Sequence, residues 1–160
     1  MRFGFISLQI LRVKKLCTLI FYPTLCTAFF KHLVMAGVEH KAVLSRPLLT
    51  VIDIGANRGQ FALAVRAISD AKVISFEPLP GPASVFRKVF AGDQHVLLHQ
   101  AAIGPRPEQK TMHVSGRDDS SSLLPISSFQ TTMFPGTGEV TTAEVRVGRL
   151  EEFVKAAELG

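Results

Sequence analysis

Two acids and two glycines carry the chemistry that this chain could do: Asp53, Gly55, Gly59 and Glu77. They sit in Thr50-Val-Ile-Asp-Ile-Gly-Ala-Asn-Arg-Gly-Gln-Phe61 and in Val73-Ile-Ser-Phe-Glu-Pro78. An ionised carboxylate only accepts hydrogen bonds, so an acid just beyond a strand can take both hydroxyl protons of a ribose. Glu77 lies 22 residues after Gly55, close to the roughly 20-residue offset at which a carboxylate meets those hydroxyls. The glycines give the backbone the freedom to turn tightly beside a ligand. Together they specify a nucleoside-binding crevice. A dinucleotide fingerprint needs three glycines, however, and Asn57 and Gln60 occupy the second and third of those positions. Asp53 puts a carboxylate at the strand end, where a cationic group can lie. A sulfonium-bearing nucleoside therefore fits better than NAD, and a NAD-dependent oxidoreductase is the rival reading. No phosphate-binding P-loop pattern is present.

Several elements must position these residues. Val51, Ile52 and Ile54 form a short apolar run suited to a strand covered on both faces. From Arg58 the spacing turns helical, with Phe61, Ala62, Val65 and Ile68 on one face, which predicts a helix to about Ser69. A second strand is expected at Lys72 to Phe76, a helix from about Pro82 to Ala91, and a third strand at His95 to His99. After Gly104-Pro105 the pattern predicts an irregular β extension: Thr111 to Val114, Ser122 to Leu124, and Glu144 to Val147. A last helix is expected from about Leu150 to Ala157. The fold class is α/β.

Four motifs in order resemble the FkbM-type methyltransferase family: Asp53 to Phe61, Phe76-Glu-Pro-Leu-Pro80, Gln100-Ala-Ala-Ile-Gly104 and Asp119-Ser-Ser-Ser-Leu-Leu124. The resemblance spans about residues 48 to 155. It implies a Rossmann-like class I fold, S-adenosylmethionine as cofactor, and O-methylation of a hydroxyl on a sugar, lipid or polyketide-like small molecule. By the same resemblance, Asp53, Gly55, Ala56, Asn57 and Gly59 line the methionine and turn side. Glu77, with Pro78 beside it, holds the ribose, and Gln100 and Ala101 pass the adenine. The stretch Asp118 to Ser122 reads as a Ser-rich surface loop. Family members continue into further strands after the segment Val145 to Phe153, so the domain is expected to be incomplete at Gly160. A non-catalytic, membrane-associated or decayed remnant is the alternative to an enzyme.

Charge divides the chain at about residue 50. Residues 1–50 carry seven Lys/Arg against Glu39 alone, a balance of +6, whereas residues 51–160 carry eleven against twelve acids, a balance of −1. The near-neutral second part is unsuited to a nucleic-acid groove. Residues 1–47 read as a basic, apolar helical segment and residues 48–160 as the partial methyltransferase domain. Leu16 to Phe30 is uncharged but short for a membrane span, and Pro23 interrupts it. The first reading is a helix that packs on or caps the sheet. Weak membrane-surface association through residues 1–31 and a cleaved signal are the others. Cys17 and Cys26 lack any metal or redox spacing, which points to a cytoplasmic setting. His95 and His99 read as solvent-facing strand-end residues, and no metal site is expected.

Overall fold

A computed structural model describes residues 23–37, 41–117 and 119–159. Its first sheet has three parallel strands in the order β1 (Thr50–Ile54), β2 (Lys72–Phe76) and β3 (Val96–His99). Thr50 is in register with Lys72 and Val73 with Val96. Parallel neighbours require crossovers, and helices supply them. Helix α3 (Gln60–Ile68) joins β1 to β2, and α4 (Pro80–Val89) joins β2 to β3. They follow α1 (Pro23–His32) and α2 (Lys41–Leu44).

One face of this sheet is covered by the crossover helices; the other is covered over β2, while Ile54 and Leu97 on it stay exposed. Val51 and Val73 pack into a cluster with Ala62, Val65 and Phe86 of the crossover helices. Leu25 and Ala28 of α1, and Val34 and Ala36 after it, join that cluster. The described part of the N-terminal segment therefore packs on α3 and α4, one layer out from the strands. Residues 1–22, including Cys17, lie outside the described residues. No helix among the described residues is long and apolar enough to cross a membrane. On the opposite face, Ile74 and Phe76 meet Val154 and Phe153.

The β extension is more regular than expected. A second sheet runs in the order β4 (Ala102–Ile103), β6 (Glu139–Gly148), β5 (Glu108–Ser115). Strands β5 and β6 pair antiparallel from Glu108 opposite Val147, with one shift between Val114 and Ser115. Ser122, expected to begin a strand, makes an isolated bridge to His113. Helix α5 (Ser128–Met133) was not expected from the sequence. The last helix is shorter than predicted: α6 spans Leu150–Phe153, and a 3-10 turn follows at Ala156–Glu158.

Three boundaries and one side chain also differ from expectation. Helix α3 begins at Gln60, because Gly59 (φ 95°) is left-handed and cannot be its first turn. Helix α4 begins at Pro80, two residues early, with Pro82 still in its first turn. Strand β3 begins at Val96, leaving His95 exposed before it. His99 is not the solvent residue expected. Its ring stacks on Phe76 at 5.1 Å and tilts against Phe153 at 5.4 Å.

Candidate functional site

The carboxyl ends of β1 and β2 open into a cleft of about 370 Å³. Gly55 and Asn57 form one side, and Glu77, Pro78 and Leu79 another. Ala101, and Ala102, Ile103 and Met112 of the second sheet, close it. Crevices at the carboxyl ends of parallel strands are where α/β sheets hold ligands.

The turn after β1 is built from left-handed residues. Gly55 has φ 83°, Asn57 50° and Gly59 95°; asparagine tolerates this region better than most side chains. A Cβ on Gly55 would meet nothing within 4 Å, so its open side offers room to a ligand. At Gly59 the same atom would lie 2.5 Å from the Phe90 ring. Gly59 therefore serves close packing of α3 against the end of α4, not ligand approach.

Almost every amide of this turn is already committed. The N–H groups of Gly55 and Ala56 both donate to the Phe76 carbonyl at 2.9 Å, and Gly59 N–H donates to the Ala56 carbonyl at 2.8 Å. Asn57 N–H donates to Glu77 Oε2 at 2.9 Å. A pyrophosphate is held by such amides, and here those four have internal acceptors.

Glu77 is the centre of the site. Its backbone N–H extends the β2–β3 ladder to the His99 carbonyl at 3.1 Å. The residue is 5% exposed, and Oε1 accepts from Leu79 N–H at 2.9 Å. Each carboxylate oxygen has two acceptor positions, so one on each remains beyond the backbone bonds. Burial raises the carboxyl pKa, opposed by the Leu79 and Asn57 amides. Asn57 Oδ1 is also buried and accepts no hydrogen bond from the described residues.

Of the sequence candidates, Gly55, Asn57, Glu77, Pro78 and Ala101 line the cleft together. Asp53 does not. It is buried opposite Ser75, on the face of the sheet shared by Val51 and Val73. Ala56 and Gly59 are buried in the turn behind the cleft. Gln100 is exposed, and its Oε1 accepts from Arg87 at 2.8 Å. The Ser-rich segment is more than surface: Asp119, Ser121 and Ser122 form part of the wall, while Asp118 lies outside the described residues. Met112 and Leu123 were missed, because an apolar residue in a polar stretch gives no local sign of its destination. Among the described residues no cluster of His, Cys, Asp and Glu could hold a metal ion.

Residues 53–159 match the sequence model of the Methyltransferase FkbM domain. No curated protein and no solved structure matches the chain.

Proposed function

We propose that this chain, which belongs to the FkbM methyltransferase family, binds S-adenosylmethionine in the β1–β2 cleft for methylation of a hydroxyl on a small molecule. The observation that carries the reading is the turn after β1. Its amides are taken up internally, while Glu77 and Asn57 keep acceptor capacity at the cleft wall. That arrangement suits a ligand rich in donors, a ribose and an amino group, and is poor for a pyrophosphate. The nicotinamide reading is accordingly not favoured.

The residues present fit the cofactor. Glu77 would accept from the ribose hydroxyls, Asn57 Oδ1 from a donor on the nucleoside or amino-acid part, and Gly55 leaves space for the chain between them. When bound, the cofactor supplies an activated methyl group. The protein's contribution is to orient and desolvate, since the reactive group comes with the cofactor. Met112 and Leu123 would give the cleft an apolar wall on the side of the second sheet.

Calorimetric titration of the 160-residue chain with S-adenosylmethionine, with S-adenosylhomocysteine and with NAD tests the reading. Micromolar binding of the first two, absent for NAD and lost in a Glu77→Ala variant with an unchanged circular dichroism spectrum, is the expected result. Tighter binding of NAD, or binding untouched by Glu77→Ala, would overturn it.

A further inference from the structure

A cleft of about 480 Å³ opens between α1, α3 and α4, and it shares no residue with the cofactor cleft. Leu63, Val89 and Phe90 give it an apolar floor, and Lys31, His32 and Lys88 stand at its walls. We propose that this cleft binds an organic phosphomonoester, with the phosphate between the two lysines and an apolar body over Leu63 and Phe90. The proposal goes beyond the methyltransferase reading and does not depend on it.

Charge is the first argument. Asp93 is the one acid lining the cleft, and it is already committed. Its Oδ2 accepts from Arg66 Nε at 2.9 Å and its Oδ1 from His95 N–H at 3.0 Å. Arg66 also donates to the Ser69 carbonyl at 3.3 Å, so this arginine and aspartate balance each other. Lys31 and Lys88 are exposed, and among the described residues neither has an ion-pair partner. Three cations against one acid leave a surplus of two positive charges here, although residues 51–160 as a whole balance at −1. A phosphomonoester carries close to two negative charges at neutral pH and three acceptor oxygens. It can engage both ammonium groups and a ring donor of His32, whereas a carboxylate brings only one charge.

Both lysines sit in the last turn of a helix, Lys31 in α1 and Lys88 in α4, where a cation offsets the helix dipole. That accounts for one cation at each helix end, but not for two ends turned into one hollow. The partial negative charges of those ends oppose an anion, so binding should be weak and sensitive to salt. The apolar floor is the second argument. Leu63 is buried, and the half-buried Phe90 ring packs on Phe86 at 4.6 Å and fills the space beside Gly59. The ring is thus held in place while it lines the cleft. Inorganic phosphate would leave this floor in water, and a purely apolar ligand would cover ammonium groups without pairing them. Pockets for small molecules combine apolar walls with a few placed polar groups in this way. A nucleic acid gains its affinity from a row of phosphate contacts, and this cleft has room for one.

The test is an amide-resolved NMR titration of the full chain at low salt with hexyl phosphate and, separately, with 1-hexanol and with inorganic phosphate. Saturable shifts confined to residues 27–32, 63–66 and 88–93 are expected with hexyl phosphate. Its affinity should exceed that of either control at least about fivefold, because only it matches both the charge and the floor. Lys31→Gln and Lys88→Gln should each weaken it about threefold, the scale of an exposed ion pair. Lys110→Gln, on the exposed part of β5, should leave it unchanged. Sedimentation with phosphatidylcholine vesicles containing phosphatidic acid separates two sources of the phosphate. Pelleting that the double lysine variant loses would assign it to a lipid headgroup, and hexyl phosphate binding without pelleting to a soluble ester. Absence of saturable shifts with hexyl phosphate would overturn the proposal. So would hexanol or inorganic phosphate binding as tightly, or lysine variants that bind like the parent. No arm uses S-adenosylmethionine, so the result stands apart from the cofactor reading.

Discussion

Glu77 does two things with one carboxylate. It clamps the end of β2 to the turn after β1 by accepting from Asn57 and Leu79, and it presents its remaining acceptor positions to the cleft. The spacing from Gly55 singled this residue out as a candidate ribose acid, and it lines the cleft. The clamp was not legible, because it depends on Asn57 standing opposite in space. Burial raises its pKa, and the two roles then respond to pH with opposite signs. A carboxyl whose pKa is higher folded than unfolded favours folding below the unfolded value, and that contribution is lost as pH rises through the folded value. Ligand binding needs the ionised form, so affinity falls as pH drops through the same raised value. As pH falls from neutrality through the raised Glu77 value, the parent should therefore gain stability relative to Glu77→Gln while its affinity for S-adenosylhomocysteine declines. Paired thermal melts and titrations check this. Stability and affinity falling together on acidification would refute it.

Among the elements, those read well from sequence are the ones that put apolar residues into the core. Strands β1 and β2 declare themselves through short runs that are mostly apolar, Val-Ile with Ile54 and Val-Ile with Phe76, which meet the crossover helices on one face and, over β2, α6 on the other. Strand β5 is largely polar, Glu-Gln-Lys-Thr in its first half, because that half is mostly exposed; only its middle reached the reading. Strand β4 has two residues, too few for any periodicity. Helix α5 is a run of Ser, Thr, Gln and Phe held by the Ser127 cap, with no apolar stripe to detect. Helix α3 shows the opposite case, where one residue decides a boundary. Gly59→Ala would place a Cβ 2.5 Å from Phe90 and keep a non-glycine residue at φ 95°. Positive-φ strain costs of order 1–3 kcal/mol, and overpacking adds a comparable amount. We expect destabilisation of about 2–4 kcal/mol, read as a lower urea midpoint at unchanged m-value. A change under about 0.5 kcal/mol would mean that the turn relaxes freely.

Among the described residues the two sheets make few contacts with each other, and the cleft lies where they meet. Its first side, Gly55 to Leu79, belongs to the parallel sheet, and Ala102, Ile103 and Met112 belong to the second. Phe153 is one junction between them, beside Ile103. It meets the Phe76 ring at 5.5 Å and His99 at 5.4 Å, and carries Arg146 of β6 over its face at 4.9 Å. Gly148 has no room for a side chain because the same ring fills the space. Truncating a fully buried phenylalanine costs about 3–5 kcal/mol; Phe153 is half-buried, so about 2 kcal/mol is expected for Phe153→Ala. The more telling consequence is for cooperativity. If Phe153 holds the sheets in register, its loss lets β5 and β6 open without unfolding β1–β3. Amide exchange in β6 should then accelerate far more than in β2, and S-adenosylhomocysteine affinity should fall although Phe153 does not line the cleft. Equal acceleration in both sheets with unchanged affinity would mean that they unfold as one unit and that the cleft keeps its shape without this ring.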